Sequence, residues 1–401
     1  VADTPPATTG PRRPSLLLLS CASSLSPLGM AAVVPLLGSV VIAYRVDYTL
    51  AQFVISAYLF GLGVTQPFAG LLSDRIGRRP VLLGGVGLFA LASVGCALAP
   101  GFWALVVLRC LQALGIGVAT VATRAMIRDT HDAEGATRAV SKVAAALGLA
   151  PVVAPIIGGA LGARFGLASV FYLVAGLAVA NWLLIYRQLQ ETGTRDTSPI
   201  NWRALGLAYA GLLRTPDFMA YTLMLGLIQG IFFAFLAVGA VVFEESLGLG
   251  QQAFGVIWGL LGIGYVAGAV AAGRLLGRHG SYRVLRAGVL VTFVMGWGLF
   301  GLIAALGTTL WTLMLPMVAL IVANGLVTPM AMAGAVNVRP EMAGTSAGLS
   351  SSLALIMSGL ASVVSGAIFS GSFTPVALVI GICGSATLLL LPLTRPGDGR
   401  H

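Results

Sequence analysis

Asp74, Arg75, Arg78 and Arg79 stand together in a short polar stretch between two long apolar runs. Charges placed there can do two things. Arginines hold a loop on the inner side of a membrane, and a carboxylate beside them can pair with a guanidinium or cap the positive end of a neighbouring helix. Such contacts are worth from a few tenths to about 2 kcal/mol, and they can latch one conformation and break in another. Arg109 is a different kind of charge, because it lies within an apolar run that begins near Phe102, about 10 Å along a helix at 1.5 Å per residue. Facing lipid it would cost at least about 2.5–3.5 kcal/mol. It is therefore expected to turn inward, with Gln112 near the same face, either lining a cavity or tied off on backbone carbonyls. Pro151 and Pro155 each remove a hydrogen bond from one helix, and Gly158 and Gly159 beside them leave a flat packing face. Gln229, Phe232, Phe233 and Phe235, with Trp258, Tyr265 and Asn324 further on, are candidates to line an aromatic cavity suited to flat apolar compounds, or to face lipid and neighbouring helices.

The elements that must position these residues are membrane helices. A chain that is 58% hydrophobic and 9% charged has too little polar surface to solvate a globule in water. Its apolar runs are about 20 residues long rather than alternating ten-residue strands, so the backbone satisfies its own hydrogen bonds as helices. They fall near 15–40, 49–73, 80–99, 102–127, 139–162, 167–187, 218–243, 252–275, 284–306, 308–334, 343–369 and 372–393. The expected fold class is thus an all-α membrane protein with twelve transmembrane helices.

One polar stretch divides the chain. It holds Glu191, Arg195, Asp196, Arg203 and Arg214, and the division is a tail over 1–14, a six-helix bundle over 15–187, a linker over 188–217, a second bundle over 218–393 and a tail over 394–401. An internal repeat supports two halves: Gly70, Arg75, Gly77 and Val81 align with Gly273, Arg278, Gly280 and Val284, whereas Asp74 falls on Gly277. Repeated halves build transporters whose substrate sits between them near mid-membrane.

With both termini inside, the inner loops and adjoining helix ends collect every Arg and Lys except Arg45, Arg109 and Arg164. The net charge of +10 is then a topology signal, and no basic stripe with interleaved aromatics points to nucleic acid. Arg12 and Arg13 before the first run imitate a secretion signal, yet the run continues past Cys21 to Val41 and reads as a helix. Cys21, Cys96, Cys110 and Cys383 lie in apolar runs without metal or disulfide spacing, and His131, His279 and His401 fall in loops or at the end. No phosphate-cradling loop, nucleophile set or metal cluster is present, so neither an enzyme, a cofactor nor ATP-driven transport is expected. Arginine so dominates lysine, of which Lys142 is the single example, that a bacterium with a GC-rich genome and its inner membrane are the expected setting.

The segment from Gly70 through Asp74, Arg75, Gly77, Arg78 and Arg79 to Pro80 resembles motif A of the major facilitator superfamily, a conformational gate. Arg109, Gln112 and Gly115, running on to Arg128 and Asp129, resemble motif B; Gly148, Pro151, Pro155, Gly158 and Gly159 resemble motif C of its antiporters. Together they are most similar to bacterial drug/proton antiporters of the bicyclomycin- and chloramphenicol-resistance type. The resemblance is close in the first half and looser in the second, through Arg339-Pro340-Glu341 and Gly344 to Gly348. It implies a monomeric secondary transporter that exports small amphipathic compounds, with proton antiport, by rocking one half against the other. Export of an endogenous sugar or amino acid, a weakly proton-coupled facilitator, and a membrane sensor without turnover are the alternatives.

The chain departs from that family in its first helix. Where relatives usually carry Met-Asp-x-Tyr-Leu-Pro, the segment here runs Met30-Ala31-Ala32-Val33-Val34-Pro35. No acid remains inside any span, which leaves Glu244 and Glu245 as the proton-coupling candidates. Arg109 without an acidic partner is expected to make the cavity electropositive and to favour neutral or anionic substrates.

Overall fold

Each apolar run becomes a helix because hydrocarbon offers the backbone no other partner. The structure, a computed structural model, describes residues 14–130, 133–193 and 202–394. The outer parts of both expected tails, Arg195 and Asp196 of the linker, and His131 and His401 lie outside the described residues. The first half comprises α1 (Leu16–Tyr44), α2 (Tyr48–Ile76), α3 (Arg78–Ala97), α4 (Phe102–Thr130), α5 (Ala133–Phe165) and α6 (Leu167–Gln188). After α7 (Trp202–Leu213), the second half comprises α8 (Pro216–Ser246), α9 (Gln251–His279), α10 (Ser281–Leu306), α11 (Leu310–Asn337), α12 (Ala343–Ile368) and α13 (Thr374–Leu390). Among the described residues, eleven helices are long and apolar enough to cross a membrane, and α5 carries a shorter apolar section, Leu149–Phe165, at the place of the twelfth expected run. Large side chains such as Leu91, Trp311 and Leu315 stand on the outside, where lipid tails would cover them.

Several helices outrun the apolar windows, because backbone geometry and not hydropathy ends them. α2 carries on through Asp74 and Arg75 to Ile76, where Gly77 takes φ 108° and α3 starts at the next residue. α9 and α10 meet in the same way at Gly280, φ 77°. A side chain is strained at such angles. The glycine shared by the internal repeat therefore makes the same one-residue turn in both halves. The linker is also more ordered than its polarity suggests, since α7 forms within it.

Two seams join the halves, and both are built on glycine. In α2 against α12, a carbon added at Gly63 would meet the Ser352 carbonyl at 3.1 Å, and one at Gly348 would meet the Gln66 carbonyl at 3.1 Å. In α5 against α9, carbons at Gly255 and Gly259 would overlap the carbonyls of Pro155 and Val152. Small residues let these backbones touch across the interface.

One end of the interface is shut. Gln52 Nε2 and Tyr48 Oη of α2 donate to the Ala237 carbonyl of α8 at 2.5 and 2.9 Å, and Ser362 of α12 donates to Gln52 Oε1 at 3.3 Å. Beneath them Val33, Leu36, Phe235, Leu236, Phe243 and Phe373 pack into one apolar layer drawn from both halves. At the other end, where the arginines of the α2–α3 turn lie, the halves part around a vestibule of ≈ 480 Å³.

Candidate functional site

α1 does not run straight. Its first segment stops at Ala31, a 3-10 turn covers Val34–Leu36 around Pro35, and a second segment resumes at Leu37. Proline cannot donate to the ladder, and the loosened backbone here borders a cavity, where a break is tolerated.

That cavity, ≈ 230 Å³, lies between the halves. Gln229, Phe232 and Phe233 of α8, Trp258 and Tyr265 of α9, and Asn324 of α11 all line it, so the structure brings together the aromatic candidates scattered over three runs. Phe235, one turn on, stacks on Trp258 from behind at 5.7 Å between ring centres, while Phe232 leans on it at 4.8 Å. The first half contributes Met30, Ala31 and Pro151, and Thr328 completes the polar edge by donating to Asn324 Oδ1 at 2.7 Å. Thr328 escaped the sequence reading, although its four-residue spacing from Asn324 puts the two on one helix face. Among the described residues lining the cavity there is no formal charge.

Arg109 and Gln112 are placed elsewhere. Both are fully buried within the first half, away from the cavity lining. Arg109 donates to the carbonyls of Val54 at 3.1 Å and Gly29 at 2.9 Å and to Gln112 Oε1 at 2.6 Å, and Gln112 passes the chain on to Ser93 at 2.6 Å. Its guanidinium lies 4.3 Å from the centre of the Tyr58 ring. The reason is the break in α1: a helix leaves its last carbonyls without partners, and Gly29 is among them. A charged donor from α4 satisfies that carbonyl and ties α1, α2, α3 and α4 together. Of the other motif B residues, Gly115 packs against the Gly85 carbonyl, Asp129 accepts from Arg78 at 3.0 Å, and Arg128 lines the vestibule.

The motif A charges form a network inside the first half. Arg78 pairs with Asp74 and with Asp129, and donates to Ser73 at 3.1 Å. Glu191, which in the sequence is one acid of a polar linker, caps α3 by accepting from the backbone N–H of Arg78 at 2.9 Å and Arg79 at 3.2 Å. Arg79 reaches the Tyr186 carbonyl at 2.9 Å. Asp74 and Gly70 line the vestibule, Arg75 borders a separate apolar groove beside Trp202, and Gly77 makes the turn. α7 closes the vestibule floor: Leu205 and Tyr209 line it, and Tyr209 donates to the Pro67 carbonyl of α2 at 3.0 Å. Burial raises the Tyr209 phenol above its ordinary range, so it stays a neutral donor.

Motif C lies at a junction. Pro155, Gly158 and Gly159 are buried, a carbon on Gly158 would overlap the Ala32 carbonyl of α1, and Pro155 meets Gly255 of α9. α5 thus touches the broken part of α1 on one side and the second half on the other, while the surroundings of Gly148 are not among the described residues. Gly255→Val should overpack this seam at a cost of about 1–3 kcal/mol. The expected outcome is a lower Tm and slower transport, with Gly273→Val, whose added carbon meets nothing within 4 Å, behaving like the parent. Equal behaviour of the two variants would show that the seam tolerates bulk. Glu244 and Glu245 sit on an exposed π turn at the shut end of α8 and do not line the cavity.

The sequence pattern of the Major Facilitator Superfamily matches residues 19–362. The chain is 29% identical over 352 residues to multidrug resistance protein D of Escherichia coli, covering 86% of each. It is 29% identical over 300 residues to a chloramphenicol resistance protein of Pseudomonas aeruginosa, covering 75% of this chain and 69% of that one. A bicyclomycin resistance protein homolog of Haemophilus influenzae is 23% identical over 369 residues, covering 92% of both. In fold it matches the inward open conformation of the xylose transporter XylE from Escherichia coli with a TM-score of 0.76 at 16% identity, over 96% of this chain and 97% of that one. The likeness to XylE is one of fold, and with the family's pattern running through most of its length the chain belongs to the major facilitator superfamily, as a multi-pass membrane transporter of small molecules.

Proposed function

We propose that the protein exports small, flat, amphipathic compounds, drugs among them, from the bacterial cytoplasm across the inner membrane by alternating access. The observation that carries this reading is the uncharged aromatic cavity between the halves. Rings of Phe232, Phe233, Trp258 and Tyr265 bind apolar faces with little demand on shape, and Gln229, Asn324 and Thr328 supply a few polar contacts. Relatives named for resistance to chloramphenicol, bicyclomycin and multiple drugs support it. The vestibule at the arginine-rich end then opens to the cytoplasm, and the Gln52–Ala237 end faces outward. Expression in a pump-deficient bacterial host should raise resistance to neutral compounds of the chloramphenicol type and lower their accumulation. An unchanged susceptibility panel at confirmed expression, with no substrate counterflow in vesicles, would instead favour a sensor without turnover.

Orientation follows from charge, with both termini, Asp74 to Arg79 and Arg274 to Arg286 inside. A cysteine placed at 245 should react with an impermeant maleimide in whole cells, and one at 78 should not; the reverse pattern overturns the topology.

Asp74→Asn should leave insertion and Tm near normal, because its pair with Arg78 is half exposed and such pairs contribute about 0–1 kcal/mol. Transport should fall strongly, since the carboxylate faces the vestibule that must close. Unchanged efflux at equal protein level would reduce motif A to a topology signal.

A further inference from the structure

Arg124 and Arg128 stand one helical turn apart on α4, and both are exposed to the vestibule. Neither has a carboxylate partner among the described residues, because the acid on the same wall, Asp74, is held by Arg78, which also takes Asp129. Like charges at this spacing repel. Across the gap α12 begins with no side chain capping it, and Gly344 and Thr345 of its first turn line the vestibule, with Ser351 deeper in. That turn carries the positive end of the helix dipole; its first N–H, on Ala343, donates to the Pro340 carbonyl of the preceding 3-10 turn, and the next two residues line the vestibule. Among the described residues, no charged side chain from the second half lines this wall. Among the described residues, the vestibule is therefore a water-accessible space of ≈ 480 Å³ with two arginines that have no carboxylate partner on one side and the start of a helix on the other.

We propose that the vestibule is an anion-binding site, which takes a carboxylate or phosphate group between Arg124 and Arg128 of the first half and the first turn of α12 in the second. Guanidinium forks and helix N-termini both suit planar or tetrahedral oxyanions. The volume suits an organic anion rather than a bare ion. An anion held there bridges the halves at the end that must close. Its occupancy thus favours the open-vestibule conformation over any other to which it binds less well. The site stands on the vestibule's own residues and not on which compound fills the aromatic cavity.

The test uses the full chain in phosphatidylcholine nanodiscs at constant ionic strength, with Tm followed during titration by inorganic phosphate and by benzoate. Both should raise Tm. R124Q and R128Q should each need about tenfold more anion for the half-maximal shift, as expected for a charged hydrogen bond lost, and the double variant should show none. R286Q, an exposed arginine of α10 outside the vestibule, should titrate like the parent. A second arm leaves the arginines intact: in S351C with C21S, phosphate should slow maleimide labelling at position 351. If a lipid headgroup is the source, nanodiscs containing phosphatidylglycerol should raise Tm and slow that labelling without added anion, and the double arginine variant should lose the Tm shift. Equal Tm shifts in parent and double variant, or labelling of position 351 that neither phosphate, benzoate nor phosphatidylglycerol slows, would overturn the proposal. Neither outcome touches efflux of neutral compounds, which is measured separately.

Discussion

Arg109→Ala is expected to remove most of the folded protein rather than merely slow transport. The substitution deletes donors to Gly29, Val54 and Gln112 inside a fully buried site, and hydrogen bonds from a charged group contribute about 1.5–3 kcal/mol each. They are not additive, but a net loss of about 3–5 kcal/mol is a large part of the 5–15 kcal/mol that holds a typical domain. The Gly29 carbonyl at the break of α1 would be orphaned, and the cation–ring contact with Tyr58 would vanish. Fluorescence-detected size exclusion should show aggregation, with Tm lowered well beyond that of Gly255→Val. A monodisperse variant with parental Tm and no efflux would instead make Arg109 part of the transport cycle.

The second large effect is a gain. Ala31 lines the cavity at the position where the resembled family carries an acid. Ala31→Asp would place one negative charge in a lining that holds none. For a cation about 8 Å away at an effective dielectric of about 20, the attraction is about 2 kcal/mol, or about 30-fold in affinity. The parent should therefore move ethidium poorly and depend only weakly on the pH gradient, whereas Ala31→Asp should export ethidium and lose that activity with a protonophore. Vigorous, protonophore-sensitive ethidium efflux by the parent that disappears in Glu244→Gln or Glu245→Gln would refute this reading. The geometry sharpens its basis: Arg109 is sealed behind α1, so the lining itself is neutral, and neutral compounds become the first expectation.

Some of this was legible in the chain because it depends on local physics. Hydropathy sets which runs enter a membrane, since transfer free energy is a property of the run itself. A glycine that must take positive φ, as at Gly77 and Gly280, marks a turn wherever it occurs. The apolar windows still ended helices such as α2 and α9 too early, because charged residues continue a helix once they reach the interface.

Residue types and spacing alone thus determined a helical membrane protein in two repeated halves, an inward-turned Arg109, and a first helix without an acid. Only the tertiary structure decided what each inward residue meets. Phe232 and Trp258 face a cavity while Phe235 backs it, Arg109 serves the broken end of α1, Glu191 caps α3, and Arg124 and Arg128 line the vestibule across from α12. The physical reason is that a helix in a membrane can rotate about its axis with little change in its own energy. Long-range packing of glycine seams and unsatisfied carbonyls on other helices selects the rotation.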